Sequence, residues 1–163
     1  MSEEIKRETI LNAVAPCAFC CLTCSAMKGG IIEEASKKLS HYLDGYYEFG
    51  KKNFFGKYRS YSKKIKLFTE QLARISAGNC GGCRSGADGK CCIPNCFILE
   101  CSKQHRVDFC GECNEFPCKK AEEFFNGKTL EEWVNNNCFI KDNGAQSYYE
   151  DAVSRSHYHF YKL

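Results

Sequence analysis

Cysteine is the residue type whose number and spacing in this chain point most directly to chemistry. The sequence contains 14 cysteines in 163 residues, and nine of them fall between residues 80 and 118. Two pairs, Cys80/Cys83 and Cys110/Cys113, have the two-residue spacing that lets both sulfurs of a tight turn reach one metal ion. The pattern therefore predicts that this segment binds metal.

Eleven of the cysteines are candidate metal ligands. They come from an N-terminal knuckle at residues 17–24 and from the cysteine-rich segment 80–118. Gly81, Gly82 and Gly111 lie inside the two pairs, where a turn around a metal often needs the positive φ that glycine tolerates. The candidate ligands are Cys17, Cys21, Cys24, Cys80, Cys83, Cys92, Cys96, Cys101, Cys110, Cys113 and Cys118.

Zinc is the metal that this pattern favours. Thiolate clusters select zinc or iron–sulfur, and a structural zinc can gather four ligands from pairs that are distant in sequence. The ferredoxin pattern Cys-x2-Cys-x2-Cys-x3-Cys-Pro is absent. Counting thiols by fours, we expect two or three zinc sites, whose grouping stays open. An iron–sulfur redox or sensor protein is the alternative.

The start of the sequence bears on the redox state of these thiols. Residues 1–8 are mostly charged, with no apolar segment of a secretory leader behind them, and no run of about 18 apolar residues occurs. We therefore expect a cytoplasmic protein without a membrane partner, in which cysteines stay reduced. A disulfide framework is correspondingly disfavoured.

The expected fold is mainly α: a small helical domain with irregular cysteine-rich metal-binding loops and little or no sheet. Apolar residues recur at three- and four-residue steps over 31–49 and 61–77, which predicts two helices. Shorter helices are predicted over 3–13, 96–105 and 117–125. The expected layout is a single domain over 1–163, with a cysteine knuckle at 17–24, a helical hairpin at 31–77, a metal-binding core at 80–118 and C-terminal helices at 119–163, interrupted at Asp142-Asn143-Gly144.

A basic and aromatic stretch offers a different function. Residues 51–66 contain seven Lys and Arg and no acid, interleaved with Phe and Tyr. Basic groups neutralise phosphates and rings stack on bases, so a nucleic-acid-binding zinc protein is a second alternative. The simpler interpretation is a solvated helix face with the aromatics turned into the core. The net charge of +3 does not by itself favour a nucleic-acid partner.

Four motifs in a fixed order resemble a known family. They are Ala15-Pro16-Cys17-x3-Cys21-x2-Cys24, Cys80-Gly-Gly-Cys83-Arg84, Cys96-x4-Cys101 and Cys110-Gly-Glu-Cys113-Asn-Glu-Phe-Pro-Cys118. Over about residues 13–155 the chain is similar to an uncharacterised domain-of-unknown-function family of small cysteine-rich bacterial and archaeal proteins. The resemblance implies a prokaryotic cytosolic protein with zinc sites and no known reaction. Cys20, Cys91 and Cys138 lie outside the family pattern, and Ala18 stands where a glycine is expected.

No group of residues apart from the cysteines has the pattern of an active site. An acid, base and nucleophile set is not recognisable, and a closed four-thiolate site leaves no coordination position for a substrate. A thiol oxidoreductase is disfavoured because Cys80 follows a predicted helix rather than a strand. The sequence thus favours a non-catalytic adaptor or binding module, with a partner, protein or otherwise, that it does not identify.

Overall fold

The structure, a computed structural model, describes residues 4–85, 93 and 96–162, with the side chain of Tyr58 left out. Within these residues the chain is mainly α and contains no strand, only an isolated antiparallel bridge between Val14 and Cys20. The predicted fold class is confirmed. The helices are α1 (Arg7–Ala13), α2 (Ile31–Tyr42), α3 (Tyr46–Asn53), α4 (Lys57–Ile75), α5 (Ile98–His105), α6 (Lys119–Phe124) and α7 (Gly127–Ser154).

The chain folds as two compact units. Residues 25–79 form one unit, and residues 1–24 together with residues 80–163 form the other. We call them the basic unit and the cysteine unit. The single-domain layout expected from the sequence stays a prediction. Within the described residues, no helix is both long and apolar enough to cross a membrane.

In the basic unit, α4 packs against both α2 and α3. The helix predicted over 31–49 is two helices, because Gly45 adopts φ 74° and this left-handed conformation ends one helix before the next begins. Gly50 permits a close crossing of α3 and α4, since a Cβ there would lie 2.5 Å from the Cβ of the buried Ser62. Phe55 and Tyr61 are 82% and 52% exposed, so the simpler interpretation of inward-facing aromatics is wrong for these rings.

In the cysteine unit, α7 contributes buried side chains to both hydrophobic clusters. Gly144 interrupts this helix with φ 83° and ψ 160°, which confirms the break predicted at Asp142-Asn143-Gly144. On either side of the break, the fully buried rings of Trp133 and Tyr148 each fill one hydrophobic cluster. The cluster around Trp133 includes cysteine side chains from several loops. The cysteine loops therefore pack on an apolar core of their own.

The C-terminal tail is fastened to α7 by charged groups. The buried Glu132 carboxylate lies 3.7 Å from Arg155 Nη1 and 3.3 Å from His159 Nε2. His157 Nδ1 lies 2.8 Å from the carbonyl oxygen of Cys20, and the Phe160 ring packs on Phe19 at 6.0 Å. Aromatic and charged contacts therefore both hold the C-terminus against the cysteine unit.

Burial of His157 predicts a loss of stability in mild acid. Desolvation lowers the pKa of this imidazole below its ordinary value of 6.5, so the folded chain binds fewer protons than the unfolded chain there. The free energy of unfolding should therefore fall as the pH drops through about 6.5. Urea unfolding from about pH 7.5 to about pH 5.5 should show a shallower fall for His157→Gln than for the wild type. The exposed His105 supplies the matched control, His105→Gln. Equal pH slopes for all three chains would contradict the assignment.

Candidate metal centre

Four of the predicted ligands line one small cavity in the cysteine unit. They are Cys101, Cys110, Cys113 and Cys118, and the other walls are mostly apolar, with Phe97, Ile98, Phe116, Ala121 and Trp133 among them. The cavity has a volume of about 30 Å³, which accommodates an ion or a few atoms but no organic substrate. We call this group of thiols the α5–α6 cluster.

Short elements deliver these four side chains. Cys101 lies on α5, Cys110 begins a 3₁₀ turn that ends at Glu112, and Cys118 is the N-cap residue of α6. The helix predicted over 117–125 therefore begins two residues later than expected, at Lys119. Pro117, predicted in its first turn, lies before it in a cis peptide bond with Phe116.

The turn that carries Cys110 is held by its neighbours on both sides. Glu112 Oε2 accepts hydrogen bonds from the backbone N–H groups of Asp108 and Phe109, at 2.9 and 3.0 Å. The N–H of Cys110 donates to the carbonyl oxygen of Pro16 at 2.9 Å, which attaches this turn to the N-terminal knuckle. Two cysteine-bearing segments far apart in sequence are thereby brought together.

Asn137, on α7, connects the same two segments through hydrogen bonds of its side chain. Its Oδ1 accepts the N–H of Gly111 at 2.8 Å, and its Nδ2 donates to the carbonyl oxygens of Cys17 at 3.2 Å and Trp133 at 2.8 Å. Gly111 is required by this contact rather than by a positive φ, because a Cβ there would lie 2.3 Å from the Asn137 carbonyl oxygen. Positive φ is found at Gly82, as expected for its turn.

Two of the four sulfurs, those of Cys101 and Cys110, have surroundings that disfavour negative charge. Burial raises the pKa of the Cys110 thiol to about 12, with further increases from the charges of the neighbouring cysteines. Burial, together with the charge of Cys118, also raises the pKa of Cys101. These thiols stay protonated at neutral pH unless a cation compensates the thiolate charge.

Trp133 places an unused hydrogen-bond donor at this cluster. The indole is fully buried, and within the described part of the chain its Nε1–H has no hydrogen-bond partner of ordinary geometry. It faces the Cys110 sulfur, where its presence lowers the thiol pKa against the effect of burial. A buried donor without a partner is costly, and a thiolate at Cys110 would supply the missing acceptor.

A second group of thiols packs together in the hydrophobic cluster of Trp133. The charges of Cys83 and Cys96, together with that of Cys110, act on the buried Cys17 thiol, whose pKa burial raises well above its ordinary value. The negative charges of Asp108 and then of Cys17, Cys21 and Cys83 raise the pKa of Arg84, against the larger effect of burial. We call Cys17, Cys21, Cys83 and Cys96 the knuckle cluster.

Arg84 is anchored by main-chain acceptors and an aromatic ring. Its Nη1 donates to the carbonyl oxygens of Leu11, at 3.0 Å, and Val14, and its Nη2 donates to that of Asp108. The guanidinium also lies over the Phe109 ring, 5.2 Å from its centroid. Burial lowers the pKa of Arg84, but the group keeps its charge at neutral pH, as arginines in proteins do. It therefore places a cation beside the knuckle cluster.

The remaining predicted ligands are distributed differently. Cys24 Sγ lies 3.9 Å from the Tyr158 hydroxyl, Cys80 is half-buried, and Cys92 lies outside the described residues. Cys138, which lies outside the family pattern, is half-buried. Among the described residues, no three Cys, His, Asp or Glu side chains are positioned as they stand to hold a metal ion, and no cysteine forms a disulfide. Metal binding stays a prediction.

Three residues that organise these clusters were not identified from the sequence as part of a site. Arg84 was predicted only as part of a motif, and Trp133 and Asn137 only as positions within the C-terminal helices. The available signal was an asparagine one helical turn after the tryptophan, on the buried face of α7. A polar residue on such a face must find partners, and the loops supply them.

The contribution of the Asn137 hydrogen bonds to stability can be tested by substitution. Asn137→Ala leaves the Gly111 N–H and the Cys17 carbonyl buried without this partner, at about 1–3 kcal/mol for each group. We expect the free energy of unfolding to fall by about 3 kcal/mol in urea denaturation. The exposed Asn135 on the same helix provides the control, and Asn135→Ala should change stability by about 0.5 kcal/mol or less. Similar losses in both variants would show that the hydrogen bonds of Asn137 contribute no special stability.

Comparison with known proteins identifies a family for most of the chain. A family profile described as "Protein of unknown function (DUF3795)" matches residues 13–123. The match covers both thiol clusters and ends before α7, short of the residue 155 expected from the motifs. No curated protein and no solved structure matches the chain.

Proposed function

The chain belongs to the DUF3795 family of unknown function, and we propose that it is a non-catalytic zinc-binding module in which the α5–α6 cluster binds one zinc ion. Cys101, Cys110, Cys113 and Cys118 are the proposed ligands. The observation that carries this proposal is the convergence of four cysteines on one small cavity whose other walls are mostly apolar.

The size and the electrostatics of the cavity support a single cation. A volume of about 30 Å³ leaves room for one ion among the four sulfurs. A divalent cation would also stabilise the thiolates that burial otherwise disfavours. The unpaired Trp133 N–H fits the same state, because it can donate to a metal-bound sulfur but gains little from a neutral thiol.

The loops around the cluster suggest a structural role for the ion. Residues 106–118 contain only one short 3₁₀ turn, so they have few backbone hydrogen bonds of regular structure. Structural zinc contributes on the order of 10 kcal/mol to folding in small peptides, comparable to the stability of a whole domain. Drawing the four sulfurs to about 2.3 Å from one ion would crosslink α5, the 3₁₀ turn and α6.

We propose the knuckle cluster as a second zinc site, with Cys17, Cys21, Cys83 and Cys96 as its ligands. The observation that favours it is Arg84, a partly buried cation whose main-chain anchors hold it beside these sulfurs. A zinc with four thiolates carries a formal charge of −2, which a neighbouring guanidinium would partly balance. In this proposal Cys24, Cys80 and Cys92 are not required as ligands.

The coordination proposed for these sites leaves no place for catalysis on the metal. Four protein thiolates fill the tetrahedral coordination of zinc, so neither a water molecule nor a substrate has a position on the metal. The function then lies in the surfaces that the crosslinked loops present. The proposal also places the protein in the cytoplasm, where cysteines remain reduced and able to bind metal.

Metal content distinguishes these assignments. In protein purified without oxygen, we expect zinc in the wild type and one fewer zinc per chain in Cys113→Ser and in Cys118→Ser. Cys138→Ser, which alters a thiol outside both clusters, should retain the wild-type content. Elemental analysis provides the measurement. Iron with acid-labile sulfide would replace the proposal with the iron–sulfur alternative, and zinc retained by both cluster variants would remove the α5–α6 assignment.

The Trp133 N–H can be tested separately from the indole ring. Trp133→Phe keeps an aromatic ring but removes the donor that faces Cys110. Loss of an outer-shell hydrogen bond costs about 10- to 100-fold in metal affinity, and we expect at least about tenfold weaker binding. Competition with a chromophoric chelator measures the zinc affinity. Phe116→Leu, which alters an apolar wall without removing a donor, is the control. Equal affinities for Trp133→Phe and the wild type would contradict the proposed hydrogen bond.

A further inference from the structure

The charge of the chain is divided unevenly between its two compact units. The basic unit has eleven Lys and Arg against five Asp and Glu, a formal net charge of +6, whereas the whole chain has +3. The cysteine unit is therefore net acidic. Seven of the eleven cations lie between residues 49 and 69, where no acid occurs. A local charge of this size attracts polyanions even though the whole chain is nearly neutral.

The same unit exposes aromatic rings. Phe49, Phe55, Tyr61 and Phe68 are 54%, 82%, 52% and 44% exposed, whereas Leu72 is the one large apolar side chain that is buried among the described residues of this unit. Exposed rings of this number are not needed to fill a core. They provide flat apolar faces close in sequence to the cations, on α3, on α4 and on the segment between these helices.

Cations and rings alternate along one face of α4. Lys57, Tyr61, Lys64 and Phe68 follow one another at steps of three or four residues, so they lie on the same side of the helix over about 16 Å. All four are exposed. Lys64 and the neighbouring Lys63 form no ion pair with a carboxylate in the described part of the chain, so no such pair must be broken before they bind a phosphate.

We propose that this face of α4, together with Phe55, binds single-stranded nucleic acid. The lysines would neutralise phosphates and the rings would stack on unpaired bases, which is how proteins bind single strands with little sequence preference. In a duplex the base faces are already stacked and are not accessible to these rings. The alternation of charge and ring along one face matches the alternation of phosphate and base along a strand.

An anionic membrane is a poorer fit for the same surface. A helix that lies in a membrane interface has an uninterrupted apolar face, with its charges on the opposite side. On α4, Lys64 lies between Tyr61 and Phe68 on the same face, and burying this face in lipid would bury its charge. The proposed surface shares no residue with either thiol cluster, so this inference and the zinc proposal can fail independently.

The test measures binding of the zinc-loaded full chain to fluorescein-labelled single-stranded oligonucleotides of about 20 nucleotides, by anisotropy over a range of salt concentrations. Each phosphate contact contributes about 0.7 to the slope of log affinity against log salt. Lys63→Gln/Lys64→Gln should weaken binding and flatten this slope by about 1.4, whereas Lys63→Arg/Lys64→Arg should preserve it. The exposed lysines of α7 supply the control, and Lys128→Gln/Lys141→Gln should leave binding unchanged.

A further double variant distinguishes stacking of the rings on bases from simple apolar contact. Phe55→Leu/Tyr61→Leu keeps apolar side chains but removes two rings, and should lower oligonucleotide affinity about fivefold or more without changing the salt slope. No oligonucleotide binding, or equal binding by the wild type and both sets of variants, would overturn the proposal. Binding to phosphatidylglycerol-containing vesicles that the leucine variant retains, without oligonucleotide binding, would also overturn it and assign the surface to membranes. Circular dichroism confirms that each variant is folded.

Discussion

Contact between α7 and the cysteine-bearing turns is the interaction on which the cysteine unit depends. Asn137 accepts a hydrogen bond from the turn at Gly111 and donates one to the knuckle at Cys17, while Trp133 closes the cavity beside Cys110. Loops with so little regular structure need fixed points, and the part of α7 before the break at Gly144 supplies them at steps of one turn. The thiols are grouped because one rigid element arranges the loops that carry them.

In the proposed zinc sites, protein packing and metal binding would have complementary roles. Burial among the side chains packed around Trp133 makes an isolated thiolate at Cys110 unfavourable, and a metal-bound thiolate there would be comparatively favourable. In the knuckle cluster, Arg84 adds a permanent positive charge that is held by three main-chain oxygens. The two clusters therefore differ in how their environment would balance a negatively charged zinc site, one by an indole N–H and the other by a guanidinium.

Local patterns in the sequence predicted the helices better than the contacts between them. The break at Gly144 was predictable because glycine follows Asp and Asn there, whereas the left-handed Gly45 lay inside an apolar periodicity that continued across it. Cysteine spacing identified the pairs but not their grouping, because grouping depends on the path of loops between distant segments. The exposure of Phe55 could not be inferred either, since it depends on whether the unit has a core for that ring to enter.

The close approach at Gly111 has a consequence for the turn that carries Cys110. Any side chain at this position would have to push the turn away from the α7 backbone by about 1 Å to restore ordinary van der Waals separation from the Asn137 carbonyl. Main-chain atoms, which cannot adopt another rotamer, therefore fix how closely this turn approaches the helix. The adjoining Cys110 sulfur would move with the turn, so its placement depends on a neighbour that has no side chain of its own.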